Sequence, residues 1–482
     1  MSESCIPAVL VIGGIDPQGC SGLAADIKTI EHHGAHAVPL VTCLTEQTSQ
    51  GLSHLGAVDA DQFMANYQSC IADFDIAAIK IGLIPTLEIA HCISQILQQH
   101  SVPCVFDPVL AATSGGKQAD EALRHFCLNT LLAKVSILTP NIPELELLTG
   151  DKESVSASQS LLAQGLSACL VKGGHASGEW ATDYFVTEDY SFYLYQQKHD
   201  KSVRGTGCCL ASSIAAQLAF NQDPRDAVVL AKAYVARGIR TAKVIGPYAV
   251  LSHSSAPVLL QDLPKLCYSA DLIGSDVQFP PCPQALGIYP VVDNADWIEK
   301  LLDEGIKTIQ LRMKDASSDE RQHHIQAAVE SANAHGETAL FINDYWQDAI
   351  NAGAYGVHLG QEDLHEANVS KIAKSGLRLG VSTHSYWELS RALAIKPSYI
   401  ALGPIFETDS KIMPFSPQGI DRLALWVDLL SGHYPLVAIG GINLARAKQL
   451  KTTGVGSVAM ISAITKADDY RLATQSLLQS WL

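Results

Sequence analysis

After Cys282 the chain has no further cysteine, and none of its twelve cysteines belongs to a CxxC pair. Zinc-ribbon and thioredoxin-type readings therefore lose their usual signature, and the cysteines read as reduced core residues of a cytosolic protein. No apolar run is long enough to cross a bilayer. The opening MSESCIPAVLVIGG has no basic segment and its apolar part reads as a strand. No signal peptide is expected, and a cytoplasmic address is. Basic residues are also scarce: 33 Lys and Arg stand against 49 Asp and Glu, for a net charge of −16. That balance opposes nucleic acid or an anionic membrane as the main partner, although a pocket with a few local donors still binds phosphate. Short internal repeats and low-complexity tracts are missing as well.

With 47% hydrophobic and 17% charged residues, the 482-residue chain can bury large cores, and its length favours about two domains. The one-sided cysteine distribution points the same way. Residues 253–284 are rich in Ser and Pro without an apolar period and read as a linker between domains 1–252 and 285–482. Before the linker, apolar strands are expected at 8–14, 37–44, 77–83, 104–109, 135–140 and 168–174, most of them separated by helical patterns. This predicts an α/β domain with a buried, mostly parallel sheet, with WATDYFV and SFYLYQQ as a peripheral hairpin. After it come eight strands, GIYPVVD, IKTIQLR, ALFIND, YGVHLG, LRLGVS, YIALG, LVAIGG and SVAMIS, each but the first preceded by a helix. Eight β/α units predict a TIM barrel, whose chemistry sits at the carboxyl ends of the strands.

Read in order, those ends concentrate polar groups. Arg312 and Lys314, taken as sharing one strand face, together with Lys411 suit a polyanion such as diphosphate. Asp344 and Asp363 follow successive strands and suit one hard cation, Mg2+. The Gly440-Gly441 turn and the Ile461-Ser462 strand end offer N–H groups to a second phosphate. No Ser/His/Asp arrangement is apparent. The segments QLRMK (310–314), FINDYW, GVHLGQEDL, LGVSTH, TDSK (408–411) and AIGGI closely resemble thiamine-phosphate synthases over about residues 285–482. The resemblance implies that a pyrimidine diphosphate binds Gln310, Leu311, Arg312, Met313, Lys314, Asn343, Ser382 and Lys411, with magnesium on Asp344 and Asp363. It assigns a thiazole phosphate to Thr408, Asp409, Ser410, Gly441, Ile461 and Ser462.

In the first half, GGIDPQGCSG (13–22) is neither GxGxxG nor a Walker A loop. The stretch SVRGTGCCLASS (202–213) puts two glycines ahead of a helix with one apolar face, Leu210, Ile214 and Leu218. It is either an anion site at a helix N-terminus or an ordinary helix start capped by Thr206. Together with DPV (107–109), TPNIPE (139–144) and KGGH (172–175), it resembles the ribokinase superfamily, specifically hydroxymethylpyrimidine and phosphomethylpyrimidine kinases, over about residues 5–250. The resemblance implies that Gly205, Gly207 and Cys208 form an anion hole. Cys208, its thiol lowered by the helix N-terminus, acts as proton acceptor, while Cys209 packs. By the same resemblance Gly14, Asp26, Gln47 and Val109 hold the pyrimidine, Asn141 and Glu144 organise Mg-ATP, Lys172 neutralises phosphate charge, and Asp107 helps hold metal or phosphate. Arg204, where the family usually has histidine, and Gln18, where it has a small residue, depart from the pattern. Pyridoxal kinases share this fold, so a pyridoxal acceptor stays open for the first half, as does a degenerate regulatory domain in either half. Oligomeric state, a homodimer included, is left open.

Overall fold

A computed structural model describes residues 6–48, 51–109, 121–174, 178–256, 258–314, 316–408 and 417–481. The chain divides into two compact units, Met1–Gly274 and Ser275–Leu482. The first contains strands β1 (Ala8–Ile15), β2 (His36–Thr48), β3 (Gly51–Ala57), β4 (Ile76–Ile81), β5 (Cys104–Phe106), β6 (Ile137–Leu138), β7 (Ala168–Lys172), β8 (Trp180–Thr187), β9 (Ser191–Gln197), β10 (Lys243–Ile245), β11 (Tyr248–Val250) and β12 (Lys265–Cys267). Ten of them form one sheet in the order β12-β9-β8-β7-β6-β5-β4-β1-β2-β3, and β10 pairs with β11 separately. From β7 through β6, β5, β4 and β1 to β2 every pairing is parallel. The expected β8–β9 hairpin continues this sheet antiparallel. The inner parallel strands β1 and β4 to β7 are covered on both faces, which is why their sequences are almost continuously apolar, whereas β2 is exposed at several positions.

Several details differ from the sequence reading. β5 stops at Phe106 and β6 at Leu138, shorter than expected, because Pro108 and Pro140 cannot donate to a ladder. β3, with Gly, Ser and His in its sequence, lacks an apolar period and was not expected; it pairs antiparallel along β2 at the sheet edge. The helix Thr206–Ala219 has more than one apolar face. Cys209 to Ala216 are all buried, and the small side chains among them let neighbours approach from most sides. The residues read as a linker also carry structure. β12 pairs with β9, and Arg240 clamps the buried Asp262 through two hydrogen bonds of 2.8 and 2.7 Å. A three-residue strand is too short to reveal its period, so only its tertiary partner defines it.

The second unit is a closed barrel of β13 (Gly287–Val292), β14 (Thr308–Leu311), β15 (Ala339–Asn343), β16 (Gly356–Leu359), β17 (Arg378–Thr383), β18 (Tyr399–Leu402), β19 (Leu436–Ile439) and β20 (Ser457–Met460), with β20 returning to β13. All eight expected strands are present and parallel. β14 ends at Leu311, so Arg312 and Lys314 lie on the loop beyond it and share no strand face. The rings of Tyr289, Phe341 and Tyr399 meet at tilted or edge-on angles inside the barrel. A Cβ at Gly380 would run into the Tyr399 ring, so this glycine makes the space in which that ring lies. Among the described residues no helix is long and apolar enough to cross a membrane.

The segment ahead of β13 belongs to the barrel. Cys282 is buried in its core, Ser398 Oγ donates to the Pro280 carbonyl at 2.7 Å, and Arg378 Nε donates to that of Pro281 at 2.9 Å. A fragment of residues 275–482 is therefore expected to unfold cooperatively. One starting at residue 285 loses about 2–4 kcal/mol and melts roughly 5–15 °C lower. Circular dichroism melts of the two fragments measure this; equal midpoints would remove residues 280–282 from the barrel's stability.

Candidate active sites

In the first unit the loop after β1 is shaped by its own carboxylate. Asp16 Oδ1 accepts from Gln18 N at 2.9 Å, and Oδ2 accepts from Cys20 N at 3.1 Å and from Ser21 N and Oγ at 2.9 Å each. Burial opposes ionisation here, but these donors override it and hold the carboxyl below its ordinary range. The turn launches the helix Gly22–His32, which carries Asp26 into the interior at 0% exposure. Asp26 Oδ2 meets Lys80 Nζ of β4 at 2.9 Å, and Oδ1 accepts from Ser212 Oγ at 2.7 Å. Both oxygens thus have protein partners, and Asp26 anchors Lys80 while each oxygen keeps a further lone pair. Lys80 was not singled out in the sequence. Its signal was a lone lysine in the apolar run AAIKIGL. Burial alone would lower its pKa; Asp26, with Cys208 and Asp107 behind it, holds the ammonium above its ordinary value.

A second charge cluster lies at the ends of β5, β6 and β7. Lys172 Nζ contacts Asp107 Oδ1 at 2.6 Å and Glu144 Oε2 at 3.8 Å, and Thr139 Oγ1 donates to Asp107 Oδ1 at 3.3 Å. Asn141 and Glu144 form a reciprocal capping box, each side chain accepting from the other's backbone N–H at 2.8 Å. Burial raises Asp107, but Lys172 and Lys80 overcome it and hold the carboxyl down. Glu144 is pushed up to about 7 by burial, against Lys172, with Asp107 adding to the rise. The cluster thus has one carboxylate more than its cations comfortably neutralise. Such a surplus suits a hard divalent cation accompanying phosphate.

The GTGC turn faces this cluster. Gly205 caps the helix Thr206–Ala219 with φ 83°, and a Cβ there would meet the Cys20 carbonyl, so the two loops approach as only glycine allows. A Cβ on Gly207 would lie 3.4 Å from Lys172 Nζ and 3.8 Å from Asp107 Oδ2, so this glycine borders both groups. Cys209 is buried against Ala25, Tyr234 and Leu251, a packing residue. Cys208 departs from expectation: burial pushes its thiol up to about 12, with Lys80 pulling down and Asp26 and Asp107 pushing further up. Arg204 NH2 donates to Gln47 Oε1 at 3.3 Å, and its guanidinium lies 4.6 Å over the Tyr248 ring. Gly14 stands at a β-bulge of β1, and Val109 follows Asp107 as a partly buried loop residue. His175 lies outside the described residues.

In the barrel the expected residues gather at one end. Gln310 and Leu311 close β14, with Arg312, Met313 and Lys314 just beyond; Asn343 closes β15, and Ser382 lies near the end of β17. Asp344 directly follows β15 in the left-handed region, φ 64°, uncommon for a residue with a side chain. Asp363 sits in the first turn of the helix Gln361–Glu366, after β16. Two partly exposed carboxylates at this end form a donor set suited to magnesium completed by phosphate oxygens. Thr408 follows β18, Gly441 follows β19, and Ile461 and Ser462 follow β20; Asp409, Ser410 and Lys411 lie outside the described residues. Arg446, not anticipated, donates to the Gly441 carbonyl and lies 4.6 Å over the Phe406 ring. His358, in the quoted GVHLGQEDL but given no role, bonds Ser382 Oγ at 2.8 Å. Burial, then the charges of Arg312 and His384, push its pKa down to about 4.

Comparison with known proteins assigns both halves. The family model for phosphomethylpyrimidine kinase matches residues 16–252, and that for thiamine monophosphate synthase matches residues 288–464. Thiamine-phosphate synthase of Escherichia coli O1:K1 is 55% identical over 202 residues, 42% of this chain and 95% of that protein. The synthase of Shigella boydii serotype 4 is 55% identical over 201 residues, 42% of this chain and 94% of its own. Among solved structures, phosphomethylpyrimidine kinase from Clostridium difficile 630 is 28% identical, spanning 48% of this chain and 97% of its own with a TM-score of 0.42. Pyridoxal kinase from Staphylococcus aureus in complex with AMP-PCP is 24% identical, spanning 52% and 94% with a TM-score of 0.48. The chain belongs to the thiamine-phosphate synthase family through its barrel and carries a phosphomethylpyrimidine kinase domain before it, a bifunctional enzyme of thiamine biosynthesis.

Proposed function

We propose that the first unit phosphorylates 4-amino-5-hydroxymethyl-2-methylpyrimidine twice, with ATP as donor. The barrel then joins the resulting diphosphate to 4-methyl-5-(2-phosphoethyl)thiazole, giving thiamine phosphate and pyrophosphate. The observation that carries the kinase reading is Lys172, 2.6 Å from Asp107 and beside the glycine turn at a helix N-terminus. Phosphoryl transfer passes through a loose transition state, so positioning and charge do most of the catalysis. The backbone N–H groups of Gly205 to Cys208 receive the transferred group at the positive end of the helix. Lys172 offsets its negative charge, and Gly14, Asp26, Gln47 and Val109 border the acceptor. Asn141, Glu144 and Asp107 organise the magnesium nucleotide. A thiol near 12 is protonated at neutral pH, so Cys208 serves by shaping the hole and not as a free base in the resting enzyme. The substrates are small molecules, and a cytoplasmic address fits the composition.

In the barrel, departure of diphosphate leaves a pyrimidinylmethyl cation that the electron-rich ring stabilises, and the thiazole nitrogen captures it. Arg312, Lys314 and Lys411 offset charge growing on the leaving group. Asp344 and Asp363 would hold magnesium, which supplies further neutralisation when bound. Thr408, Asp409, Ser410, Gly441, Ile461 and Ser462 receive the thiazole phosphate.

The whole chain, given hydroxymethylpyrimidine, thiazole phosphate and Mg-ATP, should form thiamine phosphate; failure with both substrates present, or preference for pyridoxal, would overturn the reading. Lys172→Ala should lower both kinase steps by about 10²–10³-fold, the scale for losing one preorganised charge donor, and leave the synthase intact. Cys208→Ala should cost only about tenfold, well short of the upper range for a lost general base. In peptide-mapped iodoacetamide labelling of wild type, Cys208 should grow more reactive through pH 10 without levelling near 9. A plateau near pH 9 would restore the free-base role. Asp344→Ala should depress synthase turnover, with partial recovery at high magnesium and unchanged kinase rates; parallel loss of both activities would displace the metal assignment.

A further inference from the structure

A line of hydrogen bonds runs through the barrel between two residues assigned to the pyrimidine diphosphate. Gln310 Nε2 donates to the Tyr289 hydroxyl at 3.1 Å, and the hydroxyls of Tyr289 and Tyr399 lie 2.9 Å apart. The Tyr399 hydroxyl lies 2.7 Å from His358 Nδ1, and His358 Nε2 lies 2.8 Å from Ser382 Oγ. The middle members are deeply buried: Tyr289 is 1% exposed, Tyr399 0% and His358 6%. Water has little access to substitute for a missing link.

The line has a direction. An amide nitrogen only donates, so the Tyr289 oxygen accepts and its single proton goes to Tyr399. Tyr399 in turn gives its proton to His358 Nδ1. That nitrogen is then the unprotonated one, the ring proton lies on Nε2, and Ser382 Oγ accepts it. The Ser382 hydroxyl proton is left over for a ligand, and Gln310 Oε1 remains an acceptor. Ser382 is also held from its backbone, since Gln361 Nε2 donates to its carbonyl at 2.7 Å and Arg391 in turn donates to Gln361 Oε1 at 3.2 Å.

We infer that Tyr289, Tyr399 and His358 are positioning residues of the synthase. By locking His358 as its Nε2–H tautomer they present an acceptor at Gln310 and a donor at Ser382, the pattern that reads an aminopyrimidine. The inference rests on the assignment of Gln310 and Ser382 to the pyrimidine diphosphate. Turning the Gln310 amide over would reverse every bond, move the imidazole proton to Nδ1 and invert the pattern. The tautomer of His358 therefore reports the direction of the whole line.

The test uses the full chain labelled with 15N-histidine, with long-range 1H–15N correlations of His358 identified by their loss in His358→Gln. Wild type should show the Nε2–H tautomer. Tyr399→Phe and Tyr289→Phe keep the rings and remove one hydroxyl each. In Tyr399→Phe the fixed tautomer should give way to an averaged signal. In both variants KM for the pyrimidine diphosphate should rise about tenfold, with kcat within about twofold and KM for thiazole phosphate unchanged. An Nδ1–H tautomer in wild type overturns the inference, as does a lowered melting temperature with unchanged tautomer and KM. The tautomer is read without substrate. A correct tautomer with unchanged KM in both variants would therefore fault the substrate assignment and remove the positioning role with it.

Discussion

Parallel strands finish on a common side, and both units are built around that constraint. In the first, Lys80 lies one residue from the end of β4, Asp107 follows β5, Thr139 to Asn141 follow β6, and Lys172 closes β7. Residues as far apart as 80 and 172 reach one cluster because their strands terminate together. In the barrel, Gln310, Asn343, Ser382, Gly441 and Ser462 obey the same rule around a closed ring. Neither site needs a contiguous motif. Proline sharpens the effect in the first unit, since Pro108 and Pro140 have no N–H to donate just past β5 and β6, although Pro140 still accepts from Lys172 N and Asn141 bridges to Lys172.

The two units solve the problem of buried polarity differently. The kinase interior alternates ionisable groups of opposite sign: Asp26, Lys80, Asp107, Lys172 and Glu144. Each is taken from water, and each has an opposite charge within reach. Breaking such a pair by removing one partner costs about 3–5 kcal/mol, because the survivor is stranded. The barrel instead runs neutral hydroxyl, imidazole and amide groups through its centre, and keeps Arg312 and Lys314 at the more open rim. A closed ring of strands offers little water to a buried ion, whereas a neutral line needs only matched donors and acceptors.

Much of this was legible in the sequence. The eight barrel strands announced themselves because each is a short apolar run between helical patterns, and in the first five a switch to polar residues marks the strand end. Lys80 was harder, since one lysine in an apolar strand reads as a blemish until Asp26 is brought beside it from another element. β12 was hidden because Lys265, Leu266 and Cys267 have no local pattern and depend on β9 for their conformation. The shared strand face of Arg312 and Lys314 failed by a residue or two, the scale on which strand boundaries are hardest to place from sequence. Asn141 and Glu144 carry two roles at once. Their capping box fixes the start of a helix, and the same carboxylate faces Lys172.

Cys208 shows why a local signal gives way to its surroundings. A helix N-terminus stabilises a negative group by about 0.3–1 kcal/mol, less than one pH unit when one unit is about 1.4 kcal/mol. Burial of a thiol acts on a scale of several units, and Asp26 and Asp107 add their charge to it, leaving Lys80 to compensate only in part. The sum lies near 12, so the field that was expected to create a thiolate is outweighed by desolvation and the neighbouring carboxylates, although the residue is only partly buried. A reaction with a loose transition state tolerates this, because the acceptor hydroxyl need not lose its proton before the phosphoryl group has largely left its donor. On the proposed assignment the glycine turn and the charge of Lys172 carry the step, and a neutral thiol adds no further anion to a site that would receive phosphate.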